Sequence, residues 1–163
     1  MRRALIARRR PVAATGATAG YSGTPPPRKL GLKDAQRVLF VGLPGTLEAL
    51  TGAADFAGVT ELADWRQIAT AGAGYDFVHA FTRSRKELAA GLPRLQSAIA
   101  ANGMMWISWP KRAARVETDV TEDVVRAEAL ALDLVDVKVA AVDDHWSGLK
   151  LVIRKDRRHR HGA

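Results

Sequence analysis

Two stretches hold residue types that can do chemistry: Trp109-Pro110-Lys111 and Asp143-Asp144-His145-Trp146-Ser147-Gly148. Asp144 beside His145 can orient an imidazole as a general base, and Lys111 can hold an anion. The same residues also have a plain architectural use. Asp and Gly are ordinary turn formers, and Trp146 can cover the base of a hairpin. A third stretch, Gly42-Leu43-Pro44-Gly45, closes the apolar run Arg37 to Val41 and has the outline of a phosphate or cofactor turn. No Gly-Lys-Ser/Thr follows it, so it is not a phosphate-cradling P-loop. Read without its outline, it is a tight connection from strand to helix.

Other chemistry is poorly supplied. His79 falls inside an apolar run and reads as a packed or locally hydrogen-bonded residue. His159 and His161 would need ligands from elsewhere to hold a metal, and no metal site is expected. There is no Gly-x-Ser-x-Gly elbow and no His-Glu-x-x-His pair. The absence of cysteine removes disulfides, thiol catalysis and thiolate zinc sites.

These residues must be positioned by elements that the pattern also predicts. Val38–Val41 is a continuous apolar, β-branched run of the kind buried on both faces of a parallel sheet. Thr46 to Ala54 reads as a short helix with Thr46 as N-cap, Val59 to Leu62 as a strand and Asp64 to Ala71 as a helix. Residues 75–81 form a strand. Ser84 and Glu87 have capping-box spacing, with Leu88, Leu92, Leu95 and Ile99 on one helical face. Pro93 should kink that helix, and Asn102-Gly103 should stop it. Residues 104–110 form a strand ended by Pro110, and Thr121 caps a helix with Glu122 and Asp123 in its first turn. Residues 135–142 and 149–153 are strands joined by a turn. Trp106 and Trp109, three apart on one strand, should point to opposite faces. Alternating β and α elements argue for a three-layer, Rossmann-like, mainly parallel sheet that ends in an antiparallel hairpin. Lys111 and the Asp143–Gly148 turn then emerge at its carboxyl edge, where ligands bind in such folds.

The chain has 163 residues and a net charge of +8. Residues 1–29 carry seven Arg/Lys and no acid, and residues 154–163 carry five and one. The span 30–153 carries thirteen against sixteen. The basicity therefore sits in the two ends. We divide the chain into a disordered basic extension (1–19), a proline-containing arm (20–34) that includes Tyr21-Ser22-Gly23-Thr24, a single α/β domain (35–153) and a basic C-terminal tail (154–163). Pro25 to Pro27 should exclude helix and favour an extended arm. The tail reads as a frayed, solvated end, or as a contact for nucleic-acid phosphates. No secretory h-region and no apolar run near the ~20 residues of a membrane span is present, so a cytoplasmic home without membrane contact is expected.

A sheet whose last two strands form a hairpin after repeated βα units resembles the class I S-adenosylmethionine-dependent methyltransferases. Residues 75–111 look like their fourth strand, the following helix and the fifth strand. More narrowly, "GYSGTP…KLGLK", "WISWPK", "TDVTEDVVR" and "VDVKVAAVDDHWSGLKLV" resemble an uncharacterised bacterial domain-of-unknown-function family over about residues 20–153. The methyltransferase resemblance implies a glycine-rich cofactor loop and an acid that ends the second strand to bind ribose. Here that makes Gly42 and Gly45 the loop candidates and Glu61 or Asp64 the acid. Two glycines are fewer than the pattern has, and Pro44 removes an amide donor, so S-adenosylmethionine is not the favoured expectation. The residues leave open whether the chain is an enzyme.

Three readings are carried forward in this order. The first is a non-catalytic methyltransferase-like domain that binds a protein partner or small molecule. The second is an S-adenosylmethionine-dependent methyltransferase with an atypical loop, with Lys111, Asp144 and His145 at its acceptor pocket. The third is a nucleic-acid-associated protein acting through its basic tails. Oligomeric state is not encoded in any of these features.

Overall fold

Val38, Leu39, Phe40 and Val41 are all fully buried, and a strand with no exposed face must lie between two covering layers. The computed structural model describes residues 26–161. The 1–19 extension and the Tyr21-Ser22-Gly23-Thr24 part of the arm lie outside the described residues. Six strands form one sheet: β1 (Arg37–Val41), β2 (Gly58–Leu62), β3 (Tyr75–Phe81), β4 (Ile99–Pro110), β5 (Leu134–Ala141) and β6 (Trp146–Ile153), in the order β2-β1-β3-β4-β6-β5. β1 pairs parallel with β2 and β3, and β3 pairs parallel with β4. β6 runs antiparallel between β4 and β5. This is the expected α/β sheet with its terminal hairpin.

Each face of the sheet has its own apolar layer. Leu39, Val41, Ile107 and Leu149 face α2 (Arg85–Ala98), α3 (Glu122–Leu130) and a 3-10 turn at Trp65–Thr70. Val38, Phe40, Phe77 and Trp106 face α1 (Pro26–Leu30) and a 3-10 turn at Gly45–Gly52. Trp106 and Trp109 fall in different layers, as the two-residue period of a strand requires. The Trp106 indole N–H donates to the Leu30 carbonyl at 2.8 Å and fastens α1 to the sheet. Replacing Trp106 by Phe leaves that carbonyl without its donor. Chemical denaturation should show a loss of about 1–3 kcal/mol with an unchanged m-value.

Several local expectations are corrected. Pro26 and Pro27 open α1 instead of extending an arm, because a proline in the first helical turn sacrifices no internal hydrogen bond. Thr46 is not an N-cap: the Gly45–Gly52 turn starts one residue earlier and has no side-chain cap. α2 stops at Ala98, and Ile99 is already extended and paired with Tyr75, so Asn102-Gly103 lies within β4. Gly103 is needed there because a Cβ would lie 2.8 Å from the Tyr75 carbonyl at the bulge between β3 and β4. α2 also runs unbroken through Pro93. That proline lies on the exposed face with Ala89, where water can take the carbonyl it leaves unpaired.

Two further differences concern caps and ends. Ser84 accepts from the Glu87 N–H at 3.1 Å, but the Glu87 carboxylate takes the Thr82 hydroxyl at 2.6 Å instead of closing the box. The C-terminal segment is ordered as a 3-10 turn at Lys155–Arg160, not frayed, because Asp133 pairs with Arg157 at 2.9 Å and with His161 at 2.9 Å. Among the described residues no helix is long and apolar enough to cross a membrane. The outer strand β5 carries a bulge between Asp136 and Lys138, beside the exposed Val137 and Val139.

Candidate functional site

The carboxyl ends of β1, β3 and β4 define the edge on which a ligand would be met. β6 runs antiparallel to β4, so the β5–β6 turn reaches the same edge, and the Lys111 N–H donates to the His145 carbonyl at 2.9 Å. The sequence therefore brings Lys111 and His145 together through backbone. It does not assemble a base. Asp143, not Asp144, is the structural acid of the turn, and its Oδ1 accepts from the His145 and Trp146 N–H groups at 2.8 Å each. Asp144 and His145 are exposed, and no hydrogen bond joins their side chains. An imidazole free to rotate in water lacks the orientation that general-base catalysis requires. Trp146 packs edge-on against Phe81, with centroids 5.2 Å apart, and covers the hairpin base.

The turn after β1 is held by its neighbours. Gly42 has φ +67°, and a Cβ there would sit 3.1 Å from the Phe81 carbonyl. Its N–H is spent on the Leu62 carbonyl at 2.8 Å. Gly45 has open space around it, so no close approach demands a glycine at that position. Glu61 is half-buried within β2, in register with Phe40. Asp64 caps the Trp65–Thr70 turn by accepting from the Arg66 N–H, with Gln67 completing the capping box. Its carboxylate also takes the Arg66 side chain at 2.8 Å. That hydrogen-bonded guanidinium holds the Asp64 carboxyl down at about 2.

Sequence reasoning missed the residue between these two. β1 pairs with β2 on one side and β3 on the other, so the order of the sheet switches between β1 and β3, and the crevice of an open α/β sheet lies at that point. Trp65 packs in the layer between the sheet and α2, and the edge of its indole reaches this point. Its N–H donates to the Phe81 carbonyl at 2.8 Å, and it lies 4.0 Å from the position of a Cβ on Gly42. Its ring rests on Gly91 of α2 so closely that a Cβ there would collide with it. A signal existed in the sequence: a glycine inside a helical pattern marks a packing contact, and Gly91 is that glycine.

His79 is a packed residue, as its place in an apolar run predicts, and its partner is a serine on the neighbouring strand. It is fully buried, and its Nε2 lies 2.8 Å from the Ser108 hydroxyl. The ring stacks on Phe81 at 4.2 Å, near Phe40, Phe77 and Trp106. Nδ1 finds no hydrogen-bond partner. Burial among these rings pushes the imidazole down to about 3, so it is neutral. Ser and His without an acid and without solvent access do not make a nucleophile.

A shallow polar hollow of about 380 Å³ lies farther along the edge, lined by Arg83, Ser84, Glu87 and Glu117. The β3–α2 and β4–α3 loops meet beside it. Thr118 donates its hydroxyl to the Arg83 carbonyl at 2.8 Å, and Asp119 accepts from the Arg85 N–H at 2.7 Å. Among the described residues no group of three or more His, Asp or Glu side chains is placed to hold a metal ion.

Solved structures that superpose on this chain include several methyltransferases. The magnesium protoporphyrin IX methyltransferase of Synechocystis, with bound S-adenosylhomocysteine, superposes with a TM-score of 0.55 at 14% identity over 74% of this chain and 75% of its own. A ribosomal-protein methylase from Lactobacillus delbrueckii gives 0.54 at 12% identity over 79% and 75%. The fibrillarin of Aeropyrum pernix, with natively bound S-adenosylmethionine, gives 0.52 at 17% identity over 78% and 73%. The fold is methyltransferase-like. At these identities the likeness is one of architecture. No protein-family model and no curated protein matches the chain in sequence, so the narrower bacterial-family likeness rests on the quoted phrases alone. The Gly42–Gly45 turn follows β1, and the Trp65 indole N–H lies 4.0 Å from the position of a Cβ on Gly42.

Proposed function

We propose that this chain is a non-catalytic methyltransferase-like domain that binds a protein partner or a small ligand outside the usual cofactor crevice. One observation carries the reading: the Trp65 indole, packed on Gly91, donates to the Phe81 carbonyl at the end of β3 and lies 4.0 Å from a Cβ position on Gly42 after β1, which narrows the gap between those strand ends from the α2 side. The fit of S-adenosylmethionine to the surrounding residues is poor on two further counts. Pro44 offers no amide where a glycine-rich loop would turn its N–H groups to the ligand. Asp64 spends its carboxylate on a cap and an ion pair, so it is not available for ribose hydroxyls. A cysteine-free chain also suits a cytoplasmic setting.

The second reading, an S-adenosylmethionine-dependent enzyme, draws its support from the neighbours solved with that cofactor or its product. Calorimetric titration of the full chain with S-adenosylmethionine and S-adenosylhomocysteine separates the two. The non-catalytic reading expects no heat of binding and no thermal shift at millimolar ligand. Binding at micromolar strength overturns it, makes Gly42–Gly45 a cofactor loop, and directs mutagenesis to Lys111, Asp144 and His145.

A further inference from the structure

The end of the chain carries an excess of charge that the crevice does not use. Residues 154–161 hold five Arg/Lys against one acid, while residues 26–153 hold fifteen against sixteen. The positive charge of the described fold is thus concentrated in eight residues. β6 runs antiparallel to β4, so this segment leaves the sheet at the amino end of the parallel strands, opposite the crevice.

The segment is built and not merely tethered. Asp133, with its side chain only 13% exposed, receives Arg157 at 2.9 Å, His161 at 2.9 Å and Arg160 at 3.6 Å. Arg154 donates to the Leu132 carbonyl at 3.2 Å, and Arg158 donates to the Ile153 carbonyl at 3.0 Å. Three residues per 3-10 turn bring Arg157 and Arg160 into one row, where both meet Asp133. A guanidinium has five N–H donors, and these contacts use one or two from each. Lys155, His159 and Arg160 are exposed.

The chemistry of the segment narrows the partner. It has no apolar side chain at all, so it cannot seat in a bilayer as an amphipathic helix does. Nor can it supply the buried aromatic or aliphatic anchor that dominates most protein interfaces. A planar guanidinium fork matches phosphate oxygens two at a time, and arginines already held in place lose less freedom on binding. We propose that Arg154–His161, braced on Asp133, is a docking surface for the phosphate backbone of a nucleic acid. The surface is separate from the crevice, and its assignment does not depend on whether the crevice binds a cofactor.

Fluorescence anisotropy of the full chain with a labelled single-stranded oligonucleotide and with a duplex, from about 50 to 200 mM salt, tests this. The double variant Lys155→Glu/His159→Glu changes two exposed side chains that do not touch Asp133, and its circular dichroism and melting should match the parent. Its affinity at 50 mM salt should fall by about tenfold or more, and the slope of log K against log salt should shrink by about one. Affinity within twofold of the parent overturns the proposal. So does a loss seen only when Arg8, Arg9 and Arg10 are changed to Gln, or binding to anionic vesicles or an acidic peptide with none to either oligonucleotide.

Discussion

Trp65→Ala should lower stability by about 4 kcal/mol, within the range for removing a buried tryptophan. Melting should fall by about 8–16 °C for a domain of this size. Three consequences coincide at this position. The indole is 5% exposed and belongs to the layer between the sheet and α2. Its loss opens a cavity over Gly91, beside Ile68, in a packed layer that closes only in part. The Phe81 carbonyl loses its donor, an added cost because a buried acceptor is left unpaired. Gly91, kept small to admit the ring, then faces empty space. Trp65→Phe keeps most of the volume and removes only the hydrogen bond, so it should cost about 1–3 kcal/mol. Equilibrium denaturation of both variants checks the assignment. A Trp65→Ala variant within 1 kcal/mol of the parent would mean that the side chain is not part of the packed layer.

The second large effect is a loss of stability in mild acid that originates at His79. In the folded chain its imidazole is held down at about 3 by burial, against an unfolded value near ~6.5. Between those values the unfolded state binds a proton that the folded state refuses. The contribution is therefore fully present above about pH 6.5 and is lost as pH falls through that window. At about 1.4 kcal/mol per pH unit the loss reaches about 2 kcal/mol by pH 5 and about 4 kcal/mol by pH 3.5. Hydrogen bonds from Arg66 hold the Asp64 carboxyl below its ordinary value, and hydrogen bonds from His161 and Arg157 do the same for Asp133. Their contributions are present above ordinary carboxylate values and are lost only as pH falls below about 4. The interval from pH 6.5 to 4.5 thus lies above both carboxylates, and the difference between the parent and a His79 variant across it reads the His79 share. His79→Gln can retain a contact to Ser108 but has no proton to accept, so its stability should fall less steeply than the parent's across that interval, by about 1.4 kcal/mol per pH unit. A slope equal to the parent's in that variant would sink the assignment.

The sheet was legible in the sequence because its strands obey simple burial rules. Val38–Val41 is apolar on both faces and Phe77–Phe81 is so except for His79, and a strand of that kind has few places to go. The terminal hairpin was legible from Asp143 and Gly148 between two apolar runs. What failed was local. A run such as Gly45–Gly52 has too few residues to declare whether it will coil as an α-helix or tighten into a 3-10 turn, and packing of Leu47 and Leu50 decides it. Pro26-Pro27 reads as helix-breaking until the start of the helix is known. The boundary between α2 and β4 follows from the burial of Ile99, which a helical count cannot distinguish from one more turn. The candidate site was legible in position but not in content. Topology brought Lys111 and His145 to one edge, while Trp65, 16 residues from Phe81 in the chain, gave no periodic sign of where its ring would rest.

The irregular pairing of β5 has a consequence for the company the molecule keeps. An outermost strand presents unpaired N–H and C=O groups to any chain that drifts past, and Val137 and Val139 would reward such an encounter. The residue out of step between Asp136 and Lys138 bends the ribbon locally and spoils the even spacing that an incoming strand must match. Lys138 then charges the approach to it. A flaw in the ladder thus works as a guard on solubility, protecting the open edge of the sheet from recruiting a seventh strand.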